Sequence, residues 1–164
     1  MEGEPAWPDA RNDWNPMPKS QWIWRCEHKI PSRTGAGQRV MDEVLEQLEQ
    51  HHWVKHDIYS VHLALQEGLA NAIKHGNRLD ASKQVHFTCQ MSSDLLRIEI
   101  TDEGEGFDPS TIPDPTEEDR LECPDGRGVM LMRNFMSRVK YNETGNSIFL
   151  EKERELPDEP CSDG

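Results

Sequence analysis

The sequence has few basic residues and no long hydrophobic run, and each absence excludes a class of protein. Its 164 residues contain 18 Lys and Arg against 31 Asp and Glu, a net charge of −13. A nucleic-acid backbone, which requires a basic surface, is therefore an unsuitable partner. No apolar segment reaches the length of a membrane span, and no apolar leader is recognisable. We expect a protein without a nucleic-acid or membrane partner.

Paired cysteines are also lacking. Cys26, Cys89, Cys123 and Cys161 are widely spaced and form neither a CxxC pair nor the spacing of a zinc site. Together with the missing leader, this predicts a reduced, cytoplasmic protein. Three histidines have no carboxylate or cysteine partner at ligand spacing, so we interpret them as loop residues: His51, His52 and His56.

Apolar residues are scarce, at 34% of the chain, and much of the deficit lies at its two ends. Residues 1–19 and 156–164 are rich in Pro, Asp, Glu and Gly, which predicts disordered tails around one domain at 20–155. Trp7 and Trp14 are unusual in a disordered tail. They either dock on the domain or mark a segment that binds a partner.

The stretch Asp57–Asn77 carries the pattern around which the rest is organised. Five apolar residues recur at three- and four-residue steps and predict one helix: Val61, Leu65, Leu69, Ala72 and Ile73. Asp57 is the predicted N-cap, and Gly76-Asn77 is the predicted stop. Glu67, Asn71 and His75 stack on a separate stripe. A carboxylate, a carboxamide and an imidazole in line indicate a site rather than a solvated face.

The remaining segments predict an α+β, two-layer sandwich. Its sheet is mixed but mostly antiparallel, with helices on one face. Residues 21–29 alternate as a first strand, with Trp22 and Trp24 on one face. An acidic, proline-rich segment at 109–125 predicts a lid. The other predicted elements are strands at 84–91, 95–101, 139–142 and 147–154 and helices at 36–51 and 129–138.

Two glycine motifs follow the central helix. Asp102-x-Gly104-x-Gly106 comes directly after a strand, where glycines let the backbone approach a ligand and a carboxylate can accept from an exocyclic amino group. Gly126-x-Gly128 opens a helix, whose first N–H groups can hold an anion. Each motif alone is weak, because a tight acidic turn and a flexible helix start have the same composition.

In this order, the motifs resemble those of the GHKL (Bergerat-fold) ATPases. The segments ANAIKHGN (70–77), DEGEGFD (102–108) and GRGVMLMRNFMSRV (126–139) are similar to one branch of them, the bacterial anti-sigma-factor serine/threonine kinases. The resemblance covers residues 21–154 and implies the histidine-kinase-like ATPase fold. The P-loop pattern GxxxxGK[ST] and the HRD and DFG elements are absent. The helix at 36–51 is too short for the phosphoacceptor hairpin of a histidine kinase.

The resemblance implies ATP and Mg²⁺ as cofactors and a role for each motif residue. Asn71 would hold Mg²⁺ at the ATP phosphates, and Glu67 would accept the proton of an attacking serine or threonine hydroxyl. Asp102 would accept from the adenine amino group, with Gly104 and Gly106 allowing close approach. The implied phosphate contacts are Gly126, Arg127 and Gly128.

The last predicted hairpin departs from the family pattern. The family has a threonine after the hairpin glycine, where it helps to hold adenine, and this chain has Gly145-Asn146-Ser147. Either Asn146 or Ser147 takes that place, and we assign Ser147 to the nucleotide-binding set. The second glycine motif follows Pro124-Asp125 rather than a basic residue, so lid contacts to phosphate would differ.

The implied function is an ATP-dependent protein kinase that phosphorylates an anti-anti-sigma (STAS-domain) protein and sequesters a sigma factor, as a homodimer. The alternative is an ATP-binding module that captures a partner without phosphoryl transfer. A degenerate interaction protein is disfavoured, because Glu67, Asn71 and Asp102 are all present.

Overall fold

The structure, a computed structural model, describes residues 22–104, 131–142 and 144–155. Its strands form one sheet in the order β1-β2-β3-β5-β4, and all four pairings between these described strands are antiparallel. The predicted α+β class is confirmed. The elements are β1 (Trp24–Pro31), α1 (Gln38–Gln50), α2 (Lys55–Ala70), a π-helix (Asn71–Gly76), β2 (Gln84–Met91), β3 (Leu95–Thr101), β4 (Arg138–Tyr141) and β5 (Ser147–Glu153).

One face of the sheet and the two α-helices share a single core. Alternate residues along the strands supply its sheet side, as in Phe87 of β2, Ile98 of β3 and Leu150 of β5, which are all fully buried. The apolar stripe predicted for the central helix is buried throughout, from Val61 to Ile73. Both helices therefore lie on the same face, and the opposite face carries the other residues of each strand.

The β2–β3 hairpin has the predicted bounds because its turn is specified locally. The Ser92 hydroxyl oxygen accepts hydrogen bonds from the N–H groups of Asp94 and Leu95, at 3.2 and 3.0 Å. The Ser92 N–H donates to the Leu95 carbonyl at 2.8 Å. The turn ends β2 and starts β3, which delivers Asp102 to the end of a central strand.

Two expectations at the first strand and the last helix are corrected. Strand β1 starts at Trp24, and Trp22 precedes it with its ring 5.5 Å from the Arg97 guanidinium. Arg97 lies between two core residues of β3, so Trp22 is on the face opposite Trp24. In the second case, residues 131–135 are helical but β4 starts at Arg138, which had been predicted to end a helix.

The start of the central helix is also corrected. Val54 is the N-cap, and Asp57 lies in the first turn with no exposed surface. Its Oδ2 accepts a hydrogen bond from the Glu155 N–H at 2.8 Å, and its Oδ1 lies 3.7 Å from Lys152 Nζ. Asp57 therefore joins the helix start to the end of β5 instead of capping the helix.

We expect Asp57→Ala to lower the free energy of unfolding by about 3 kcal/mol, since it leaves the buried Lys152 ammonium short of a partner. Urea denaturation measures this change. Asp42→Ala is the matched control: Asp42 is exposed and accepts a hydrogen bond from Gln38, so its loss should cost no more than about 0.5 kcal/mol. Equal effects of the two substitutions would contradict the role of Asp57.

No helix within 22–104, 131–142 and 144–155 is long and apolar enough to cross a membrane. The predicted tails at 1–19 and 156–164 and the predicted lid at 109–125 lie outside the described residues.

Candidate functional site

Glu67 and Asn71 lie at the junction of α2 and the π-helix. The Asn71 N–H donates to the Glu67 carbonyl, so the two residues remain one α-helical turn apart on one side. The wider turn follows them, where the Asn77 N–H bonds to the Ala72 carbonyl five residues earlier, at 2.8 Å. Single π turns inside helices are frequent at functional sites.

Neither side chain belongs to the hydrophobic core. Both Glu67 and Asn71 are half-buried, and neither side chain forms a hydrogen bond or ion pair with the described part of the chain. Behind them, Gly68 faces the sheet: a Cβ atom at that position would lie 2.8 Å from Ile100 Cδ1. The helix thus packs on the sheet through Gly68 and leaves a carboxylate and a carboxamide available to a ligand. His75, the third member of the predicted stripe, is exposed.

The turn after β3 meets the end of the π-helix. A Cβ added to Gly76 would lie 2.2 Å from Asp102 Oδ2, and one added to Gly104 would lie 2.0 Å from the Gly76 carbonyl oxygen. Asp102 Oδ1 accepts a hydrogen bond from the Gly104 N–H at 2.8 Å. Two glycines therefore let the backbone of the turn touch the backbone of the helix, with the Asp102 carboxyl between them.

The Asn77 side chain links the end of the π-helix to the turn after β3 by a hydrogen bond, a role that the sequence did not predict. Its Oδ1 accepts from the Glu103 N–H at 2.7 Å, and its Nδ2 donates to Ser32 Oγ at 2.8 Å and to the Gln84 carbonyl at 3.1 Å. The side chain is only 1% exposed. The pair Gly76-Asn77 indicated only a helix stop, and nothing in it signalled three tertiary hydrogen bonds.

Asp102 and Glu103, neighbours in this turn, have pKa values that are shifted in opposite directions. Burial raises the pKa of Asp102, while the Gly104 N–H and the charge of Lys83 act in the lowering direction. Glu103 has its pKa lowered, first by the hydrogen bond from the Gln84 N–H and then by that from His86. The Asp102 carboxylate is partly removed from water, and its hydrogen bond from the Gly104 N–H does not fully replace the hydrogen bonds to water. A ligand that donates a hydrogen bond to this carboxylate would therefore stabilise it.

The last hairpin brings Asn146, not the Ser147 hydroxyl, to Asp102. The Asp102 N–H donates to the Asn146 carbonyl at 2.9 Å, and Asn146 Nδ2 donates to the Asp102 carbonyl at 3.3 Å. Ser147 Oγ bonds to Thr101 Oγ1 at 2.5 Å. Ser147 precedes the core residue Ile148 on the strand, so its side chain lies on the opposite face. Of the two candidates, Asn146 is the one that forms hydrogen bonds with the main chain of Asp102.

We expect Gly104→Ala to lower the free energy of unfolding by about 2 kcal/mol, because its methyl group would collide with the main chain of Gly76. Thermal unfolding measures the loss. Gly37→Ala is the matched control, since its Cβ would lie 2.9 Å from the end of the flexible Leu69 side chain, at an ordinary φ of −83°. Similar melting temperatures for the two variants would contradict the backbone contact.

Gly106 of the first glycine motif and the predicted phosphate contacts Gly126, Arg127 and Gly128 lie outside the described residues. Of the helix that Gly126-x-Gly128 was predicted to open, Met132 and Met136 are buried in the core. Phe135 packs edge-on against Tyr59 of α2, with ring centroids 6.0 Å apart. The helix after the second glycine motif therefore lies against the helix that carries Glu67.

Comparisons with known proteins place the chain in a family. Residues 30–152 match the family model described as histidine kinase-like ATPase domain. The chain is 28% identical over 103 residues to proteins named anti-sigma F factor from Oceanobacillus iheyensis and from Shouchella clausii. Each of these alignments covers 59% of this chain and 70% of the relative.

A solved structure has a similar fold. It contains the RsbU and RsbW domains of a Mycobacterium tuberculosis protein and superposes with a TM-score of 0.56 at 14% sequence identity. The match covers 81% of this chain and 32% of that longer chain. The expected GHKL resemblance and its anti-sigma branch are supported by these findings together.

Proposed function

We propose, because the chain belongs to the histidine kinase-like ATPase domain family, that it binds Mg-ATP and phosphorylates a serine or threonine of a partner protein. The partner in this proposal is an anti-anti-sigma (STAS-domain) protein, and a sigma factor competes with it for the kinase. Similarity to two anti-sigma F factors supports this choice of partners. The proposal includes a homodimer and a cytoplasmic location.

One observation carries the proposal: the helix that bears Glu67 and Asn71 ends against the Asp102–Gly104 turn. Gly76, five residues after Asn71, has backbone contact with Gly104 and lies against the Asp102 carboxyl. A group read by Asp102 and a charged group near Asn71 can therefore belong to one ligand. Adenine with its exocyclic amino group, joined to phosphates, has these two ends.

The donor set near Asn71 fits Mg²⁺. A carboxamide oxygen is a hard ligand, and Mg²⁺ is commonly held by one or two protein oxygens together with substrate phosphates and water. Asn71 is half-buried and its side chain makes no hydrogen bond within the described ranges, so its carboxamide oxygen is available. Bound there, Mg²⁺ would neutralise phosphate charge.

Glu67 is proposed as the general base. The acceptor hydroxyl oxygen forms a bond to the γ-phosphorus, the bond from that phosphorus to the β-phosphate oxygen breaks, and ADP leaves. Glu67 takes the hydroxyl proton. Its carboxylate lies one helical turn before Asn71 and has no described partner that competes for this proton. Most of the remaining catalysis is positioning, as phosphoryl transfer generally requires.

The second candidate is a module that binds ATP and captures a partner without transferring phosphate. It uses the same Asp102 turn and the same Asn71 but needs no base. The Glu67 side chain has no partner among the described residues, and this favours the kinase, because a half-buried carboxylate of this kind has no evident use in a pure binding module.

Incubation of the full chain with ATP labelled at the γ-phosphate and a purified STAS-domain protein tests the proposal. We expect label on the STAS protein, and none with α-labelled ATP or after removal of the acceptor hydroxyl. Calorimetry with an ATP analogue runs in parallel. Binding without transfer to any candidate STAS protein would favour the second candidate, and absence of both binding and transfer would reject the two together.

A further inference from the structure

Away from the nucleotide site, three metal-binding side chains meet between β1 and α1. Cys26 and His28 are two positions apart on a strand, so they project from the same face, and Glu43 reaches them from α1. One donor atom of each lies within 4.8 Å of the others. His28 Nε2 and Glu43 Oε1 are already 2.7 Å apart. The Cys-x-His pattern alone does not have zinc-site spacing, since the third residue comes from another element.

We propose that Cys26, His28 and Glu43 bind a thiophilic divalent cation of the Zn²⁺ class. Thiolate, imidazole and carboxylate are the ligands that Zn²⁺ takes in proteins, at about 2.0–2.3 Å, whereas Mg²⁺ and Ca²⁺ prefer oxygen alone. Three protein ligands leave a fourth position for water. The cluster is reachable from solvent, because the His28 and Glu43 side chains are 38% and 39% exposed.

The surroundings of the Cys26 thiol disfavour its ionised form. Burial raises the pKa of Cys26 to about 12, and the negative charge of Glu43 acts in the same direction. A divalent ion between the two groups replaces the thiol proton and removes their repulsion. A hydrogen bond from the Cys89 backbone, on the paired strand, favours the thiolate.

A second cluster with similar spacing is an ion-pair network, because it already contains a lysine. His56, Asp57 and Glu155 also bring donor atoms within 4.8 Å of one another. There the Lys152 ammonium lies 3.7 Å from both Asp57 and Glu155 and already supplies a positive charge. No lysine or arginine within the described ranges is paired with Glu43, whose one described polar partner is His28. The β1–α1 cluster differs from this network because it contains a thiol and because no described lysine or arginine pairs with its carboxylate.

Titration of the untagged full chain with Co²⁺, under reducing conditions, tests the site. We expect one equivalent to produce a thiolate-to-metal charge-transfer absorption and the visible bands of four-coordinate Co²⁺, both abolished by Zn²⁺. A pH indicator should record proton release during binding. Cys26→Ser should remove the charge-transfer absorption, and His28→Ala or Glu43→Gln should weaken Co²⁺ binding by at least about tenfold.

Two controls make the result specific. His86→Ala removes an exposed histidine that pairs with Glu103 at 3.3 Å, and should leave the titration unchanged. The double variant Cys123→Ser/Cys161→Ser should also retain the absorption. Circular dichroism of each variant establishes that it is folded. Absence of charge transfer in the wild type, its survival in folded Cys26→Ser, or its loss in the double variant would overturn the proposal.

Discussion

Asn71→Ala is expected to weaken Mg-ATP binding by at least about 100-fold, because the carboxamide is the proposed protein ligand of the ion that bridges the phosphates. Calorimetry with a non-hydrolysable ATP analogue measures the loss. The effect should depend on the metal: in EDTA, wild type and variant should bind the nucleotide with similar, weak affinity. Asn71→Asp, which keeps an oxygen ligand, should retain the response to Mg²⁺.

The metal dependence separates Asn71 from the residues that read the base. Asp102→Ala should lower affinity in Mg²⁺ and in EDTA alike, because its proposed contact is to adenine. Unchanged affinity in Asn71→Ala would remove the metal assignment. An equal loss with and without Mg²⁺ would instead assign Asn71 to the nucleotide itself or to the shape of the helix.

Glu67→Gln is expected to bind Mg-ATP within about twofold of wild type and to transfer phosphate at least about 100-fold more slowly, the usual size of a general-base contribution. Glutamine has nearly the same shape and cannot accept the hydroxyl proton. Single-turnover transfer to a STAS-domain protein measures the chemical step, and calorimetry measures binding.

The control for Glu67→Gln is the same substitution at a glutamate away from the site. Glu46→Gln alters an exposed carboxylate on α1 and should leave both binding and transfer unchanged. Normal transfer by Glu67→Gln would remove the base from the scheme. A parallel loss of binding and transfer would place Glu67 among the binding residues and favour the module that does not transfer phosphate.

Much of the fold was predictable because its signals are local. Strands β2 and β3 combine strict alternation with a serine turn, and their bounds agree with the prediction. The apolar stripe of the central helix is buried as its spacing indicated. The resemblance to GHKL ATPases gave the motifs and their order a functional interpretation, which composition and periodicity alone do not provide.

What sequence reasoning missed depends on contacts between distant residues. Side-chain periodicity over six residues cannot distinguish i→i+4 from i→i+5 bonding, so the π-helix at Asn71–Gly76 was predicted as continuous α-helix. Asn77 looked like a helix stop until its three tertiary partners were visible. For Ser147, which the sequence assigns to the nucleotide-binding set, the strand register shows only that its side chain lies on the face opposite Ile148, and its binding role stays a prediction.

Strand β5, together with Asn146 just before it, lies near the long helical segment or its neighbouring turn at three points. Lys152 lies near Asp57 in its first turn, Leu150 lies behind Gly68 at mid-length, and Asn146 holds the Asp102 turn against Gly76 at its end. The residues of β5, and the one just before it, therefore connect the sheet to the start, the middle and the end of this helical segment.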